Sequence, residues 1–130
     1  MRYGGSISFL KNMSKNSKKE FAEYVAHDLL DALGGVTARA MFGGFGIYKE
    51  GIILGIIVEG RLYFKVDDSN RADYVSHGMK AFVYEGMKGK KIEMGYWEVP
   101  EEIMEQSPEI TEWARKAWII NKNAKAKKKR

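Results

Sequence analysis

Between Val36 and Asp67 the chain is a series of short apolar runs cut by glycine turns, and that pattern admits few folds. The runs are Val36 to Phe42, Gly46 to Lys49, Ile52 to Val58 and Arg61 to Asp67, separated by Gly43-Gly44-Phe45, Glu50-Gly51 and Glu59-Gly60. Runs this short are strands rather than helices. Two-residue turns ending in glycine connect antiparallel neighbours, because glycine reaches positive φ without a steric cost. In Arg61 to Asp67, Leu62, Phe64 and Val66 share one face while Arg61, Tyr63 and Lys65 share the other. Ile52 to Val58 does not alternate: Ile53 and Ile57 lie opposite Ile52, Leu54, Ile56 and Val58. A strand apolar on both faces wants cover on both. In a two-layer domain the second cover comes from a partner subunit, so a homodimer is expected.

Helices flank this segment. Ser17-Lys18-Lys19-Glu20 reads as a capping box, followed by Phe21, Tyr24, Val25, Leu29 and Leu33 at helical spacing and by Gly34-Gly35 as the stop. Asp68-Ser69-Asn70-Arg71 supplies cap candidates for a short helix through Ser76. Ala81 to Glu85 and Lys90 to Val99 form a second hairpin across Gly86-Met87-Lys88-Gly89. Pro100-Glu101-Glu102 starts a helical turn, and Ser107-Pro108-Glu109 opens a last helix with Ile110, Trp113, Ala114, Ala117 and Ile120 as its apolar stripe. The expectation is an α+β fold: a two-layer sandwich with an antiparallel sheet of about five strands, in the order α-β-β-β-α-β-β-α. Residues 1–16 read as a flexible leader, 17–121 as the folded domain and 122–130 as a disordered basic tail.

Charge is unevenly placed. Of the 22 lysines and arginines, six lie in the last nine residues: Lys122, Lys125, Lys127, Lys128, Lys129 and Arg130. Removing those six leaves 16 basic groups against 17 acidic ones, so the net charge of +5 belongs to the tail. Six such cations give nonspecific phosphate binding with a log–log salt slope of at most about −5; the plainer reading is a solubilising end. The chain has no cysteine, so disulfides and thiolate metal sites are excluded. The longest apolar run is far below the roughly 20 residues of a membrane span, and no secretory pattern precedes it. A cytoplasmic protein without a membrane partner is expected.

Catalytic signals are sparse. The only histidines, His27 and His77, sit on helices without ligand-type spacing, and no serine occupies a G-x-S-x-G elbow. Asp67-Asp68 and Glu101-Glu102 lie at helix starts, where acids are favourable for structural reasons. Gly43-Gly44-Phe45-Gly46 reads either as an anion-binding nest or as a tight turn where side chains clash. Strand aromatics beside Arg61 and Lys65 either stack on bases or simply pack. No catalytic residue, metal or cofactor is assigned, and the chain reads as a non-enzyme.

An ordered set of motifs carries a resemblance. It runs Arg39-Ala40-Met41-Phe42-Gly43-Gly44-Phe45-Gly46-Ile47-Tyr48, Gly51, Leu62-Tyr63-Phe64-Lys65-Val66-Asp67-Asp68, Asn70-Arg71, Phe82-Val83-Tyr84, Tyr96-Trp97-Glu98-Val99-Pro100-Glu101-Glu102 and Trp113-Ala114-Arg115-Lys116-Ala117. From about Glu20 to Ile120 the chain resembles the N-terminal domain of the TfoX/Sxy family, bacterial regulators of DNA-uptake competence. The resemblance implies a secretion-chaperone-like two-layer fold that often dimerises. It also implies a regulatory role alongside the catabolite activator protein at competence promoters. Full-length members carry a further helical domain, where this sequence has its lysine run. The resemblance implies no catalytic residues.

Arg39, Tyr63, Lys65, Arg71 and Tyr96 match motif positions with polar tips and are the candidate interaction surface. The leading expectation is a non-enzymatic regulatory adaptor that binds a protein partner in the transcription apparatus. The alternatives are a nucleic-acid-binding module using the tail and the sheet aromatics, and a small ligand binder or enzyme built on the Gly43 to Gly46 turn.

Overall fold

The computed structural model describes residues 15–41, 43–85 and 89–128. Phe42, the Gly86-Met87-Lys88 stretch, the leader up to residue 14, Lys129 and Arg130 lie outside the described residues.

Six antiparallel strands form one sheet: β1 (Val36–Met41), β2 (Gly44–Lys49), β3 (Ile52–Val58), β4 (Arg61–Lys65), β5 (Ala81–Glu85) and β6 (Lys91–Glu98), in the spatial order β1-β2-β3-β4-β6-β5. The α+β expectation holds. The strand count is six rather than five, because four strands, not three, precede the middle helix. The Glu50-Gly51 and Glu59-Gly60 turns place both residues at positive φ (53° and 74°, 51° and 76°). That conformation matches the twist of the strands it joins.

The first helix, α1 (Lys15–Tyr24), already includes the two residues before Ser17, so Ser17 stands inside the helix rather than at its cap. It widens into a π-helical turn over Val25–Leu29, closed by the Leu30 amide donating to the Val25 carbonyl at 3.0 Å. The extra residue in that turn brings Leu29 and Leu30 together into the core with Phe21, Val25 and Ala26. A 3₁₀ turn, Asp31–Leu33, then ends at Gly34 (φ 83°). The remaining helices are α2 (Arg71–Ser76), α3 (Glu101–Met104) and α4 (Ser107–Lys128). Where disorder was expected from residue 122, α4 continues to Lys128; a lysine- and alanine-rich stretch has good intrinsic helix propensity.

All the helices that touch the sheet meet the same face. α4 lies across β3 and β4, and α1 meets β1. On that inner face Val36, Ile47, Ile57, Leu62 and Phe64 are buried, with Ile110, Ala114 and Ala117 of α4 against them. Strict alternation fails in β3. The β2–β3 register shifts between Ile47 and Tyr48, with Ile47 opposite Gly55 and Tyr48 opposite Ile53. The bulge turns Leu54 inward as well as Ile57, while Ile53, Ile56 and Val58 are half-buried.

Two polar features bear on stability. Lys49 donates to the carbonyls of Gly34 (2.8 Å) and Leu33 (3.4 Å), and its own carbonyl accepts from Trp118 Nε1 at 2.9 Å, so one residue ties the end of the first helical segment to β2 and to α4. Tyr74 is 1% exposed and packs between Trp113 (ring centroids 4.5 Å) and Trp97 (6.2 Å). Its hydroxyl has no hydrogen-bond partner among the described residues, and burial pushes its pKa far above the ordinary 10. Removing an unsatisfied buried hydroxyl is neutral or stabilising, so Tyr74→Phe is expected to unfold in urea at the wild-type midpoint or slightly above it at pH 7. The folded-state pKa is raised, so the wild type loses stability as pH rises past 10, where only the unfolded tyrosine ionises. Tyr74→Phe should therefore hold its urea midpoint better than wild type at pH 11. A lower midpoint than wild type at both pH values would contradict this assignment.

Candidate interaction surface

The face of the sheet opposite the helices carries Arg39, Tyr63, Lys65 and Tyr96, four of the five residues singled out from the sequence. Strand pairing decides this. Arg39 pairs with Gly46, Gly46 with Ile56, Ile56 with Tyr63, and Lys65 with Tyr96. Directly opposed residues in antiparallel strands project to the same side. The fifth, Arg71, is elsewhere: it lies at the start of α2 and forms an ion pair with Asp68.

Each of the four has a defined setting. The Arg39 guanidinium lies over the Tyr48 ring, 5.4 Å from its centroid. The Tyr48 ring folds back over Gly46, where a Cβ would stand 2.7 Å from Tyr48 Cε1 and 2.8 Å from Met41 Sδ. Tyr63 meets Phe82 edge-on at 5.2 Å; burial, and then the Glu98 carboxylate, raise its phenol pKa. Glu98 in turn pairs with Arg61 at 3.4 Å. The Lys65 ammonium lies 5.4 Å from the Tyr96 ring centroid. The Tyr96 hydroxyl accepts from Asn121 Nδ2 at 3.4 Å, and the same amide donates to the Ile53 carbonyl at 2.9 Å. Burial raises the Tyr96 pKa, partly offset by the Asn121 hydrogen bond.

Asn121 was not read from the sequence, since an asparagine in a basic stretch carries no local signal of a long-range contact. It joins two features that sequence reading keeps apart. Through it, the end of α4 is fixed against the Tyr96 corner of the sheet. Beyond it Lys122, Lys125 and Lys127 are exposed, with the Lys122 ammonium 4.6 Å from the Trp118 ring centroid.

The other sequence candidates have structural settings. Asp67 accepts from the Ser69 amide (2.8 Å) and hydroxyl (2.5 Å), and the hydroxyl contact chiefly lowers its pKa. Glu101 and Glu102 occupy the first turn of α3. His77 closes α2 with Nδ1 2.9 Å from the Asp73 carbonyl, and its ring stands edge-on to Trp113. His27 pairs with Glu23 one helical turn back at 3.1 Å. Among the described residues no group of three or more His, Asp or Glu is placed to hold a metal ion. No helix among them is long and apolar enough to cross a membrane.

The glycine turn is a close-approach device. A Cβ on Gly44 would stand 2.2 Å from the Ile57 carbonyl oxygen. The cleft beside it, lined by Lys18, Phe21, Gly43, Phe45, Ile57 and Glu59 among others, has a cavity volume of about 10 Å³, room for about one water.

Residues 28–119 match the family model of the TfoX N-terminal domain, close to the 20–120 span over which the motifs are ordered. No curated protein matches the chain. The family match covers well over half of the 130 residues, and the chain belongs to the TfoX N-terminal domain family.

Proposed function

We propose that this TfoX N-terminal domain is a non-enzymatic regulatory adaptor of the cytoplasm, acting in the control of DNA-uptake competence through protein–protein contacts with the transcription apparatus. One observation carries the reading. The helices cover one face of the sheet, and the centre of the other face presents Ile56, Val58, Tyr63 and Phe82, all half-buried. A sheet with one solvated face ordinarily turns polar side chains outward. Apolar and aromatic groups in that position suit a partner surface, whose core is typically depleted of charge. The same patch on two copies is self-complementary in the sense a twofold dimer requires, so the domain pairs through it.

The test is sedimentation velocity over a wide concentration series, comparing wild type with Ile56→Lys. The wild type should shift from monomer to dimer. The variant should stay monomeric with its urea midpoint nearly unchanged, since a half-buried site on the sheet surface lets a lysine lay its stem on the face and carry its ammonium into water. In the cell the same substitution should lower transcription of competence genes. A wild-type domain that remains monomeric at the highest concentration would sink the dimer, and unchanged transcription with Ile56→Lys would sink the use of this face.

A further inference from the structure

We infer that Arg39 and Lys65 on the sheet and Lys122 and Lys125 on the end of α4 form one phosphate-binding track for double-stranded DNA. It goes beyond the proposed protein contact: Arg39 and Lys65 flank the Ile56 and Tyr63 row on the same face.

Among the described residues, the cations of the track are ones without a carboxylate partner. Arg61, Arg71, Arg115 and Lys116 each hold a carboxylate. Arg39, Lys65, Lys122 and Lys125 form no ion pair among the described residues. Asp67, the nearest acid along the chain from Lys65, is held by Ser69, and the Lys65 charge is the smallest of the influences that lower its pKa. After Glu112 the chain has no acid at all.

Asn121 holds α4 to Tyr96 and Ile53, and Tyr96 is the ring beneath Lys65. Lys125 lies one helical turn beyond Asn121 on the same face, and Lys122 lies beside it. From that anchor α4 continues to Lys128, about 10 Å at 1.5 Å per residue. Lys65 and the helix cations therefore share one corner of the molecule, and Arg39 is joined to it through Tyr48, the ring beneath its guanidinium, which acts electrostatically on Tyr96.

The ring contacts of these cations favour a duplex over a single strand. Single strands are held by bases stacked on open aromatic faces. Here the rings of Tyr48, Tyr96 and Trp118 already carry Arg39, Lys65 and Lys122. A cation laid over a ring offers its charge outward and denies the ring to a base. That arrangement suits phosphate contacts, which position a duplex without reading its sequence.

The experiment is fluorescence anisotropy of the full chain on a labelled mixed-sequence duplex across a salt series. Four phosphates neutralised by this track contribute about −3.6 to the log–log slope. Arg39→Gln with Lys65→Gln should make the slope shallower by about 1.8, and Lys122→Gln with Lys125→Gln by the same amount. The charge-preserving pair Arg39→Lys with Lys65→Arg should keep the wild-type slope, and urea melts should show every variant folded. Lys80→Gln with Lys90→Gln, two exposed cations away from the track, should leave the slope unchanged. The inference is overturned if the Arg39/Lys65 pair leaves the slope at its wild-type value, because the helix end then binds alone. It also fails if the Lys80/Lys90 pair lowers the slope equally, if a single strand of the same length binds more tightly than the duplex, or if the wild type does not bind. A monomeric chain that binds duplex in this way would lose the dimer and keep the track.

Discussion

Gly55→Ala is expected to destabilise the domain by about 3 kcal/mol or more, a large effect for a single added methyl. Gly55 lies in the middle of β3, opposite Ile47 on one side and Phe64 on the other. A Cβ there would stand 2.5 Å from the Tyr63 carbonyl oxygen and 2.9 Å from Phe64 Cδ1. Neither can yield. The carbonyl belongs to the β4 backbone, and Phe64 is fully buried beneath the helices. The backbone of Gly55 is not in the left-handed region, so the penalty is one of packing and strand separation. Gly51→Ala is the contrasting case. Gly51 has φ 74° but open space around its Cβ, so the cost there is backbone strain of about 1 kcal/mol. Urea unfolding of the two variants should rank them clearly, with Gly55→Ala losing several times as much. Equal losses would mean that β3 and β4 separate easily, and would contradict the tight pairing on which the outer face depends.

That same pairing shows what the sequence could and could not convey. The Glu50-Gly51 and Glu59-Gly60 turns and the alternation in β4 are local, and they were legible. They sufficed to put Tyr63 and Lys65 on one face and Leu62 and Phe64 on the other. The bulge at Leu54 was not legible, because it reflects how closely β2, β3 and β4 approach one another around Gly55. It is why period-two counting grouped Leu54 with the outward-facing Ile56. The π-helical turn at Val25–Leu29 was likewise hidden, since its apolar residues also fit an ordinary helical stripe. Lys65 and Tyr96 were both selected from motifs, but their contact depends on β4 pairing with β6 across the intervening α2 and β5. Asn121, Trp118 and Lys49 reach carbonyls or rings far away in sequence, and a residue type alone does not announce such a partner. Arg71 shows the reverse case: a motif position whose neighbour Asn70 matters to the fold, while its own side chain pairs locally with Asp68.

Asn70 is where the family motif meets the candidate surface, and its loss is expected to cost about 3 kcal/mol. The side chain is 2% exposed. Its Oδ1 accepts from the Asp67 amide at 2.9 Å, and its Nδ2 donates to the Lys65 carbonyl at 3.1 Å. One amide group thus satisfies two backbone groups as β4 ends and the chain turns into α2. Asn70→Ala leaves both without that partner, each costing roughly 1–3 kcal/mol if water cannot replace it. Asn70→Asp keeps the acceptor but sets a carboxylate against the Lys65 carbonyl. Only its protonated form can donate there, so its folded-state pKa should rise above the unfolded value of about 3.9. A raised pKa means the neutral form is favoured in the fold, so the deficit relative to wild type is smallest below that value and grows as pH rises through the folded pKa. Urea unfolding at pH 4 and pH 7 should therefore show Asn70→Asp closer to wild type at pH 4, while the Asn70→Ala deficit stays nearly constant. A pH-independent Asn70→Asp deficit would mean that the Lys65 carbonyl does not need this donor. Because that carbonyl sets where Lys65 leaves the sheet, the same variants should also weaken duplex binding if Lys65 belongs to the phosphate track, which ties the stability of this turn to the chemistry of the outer face.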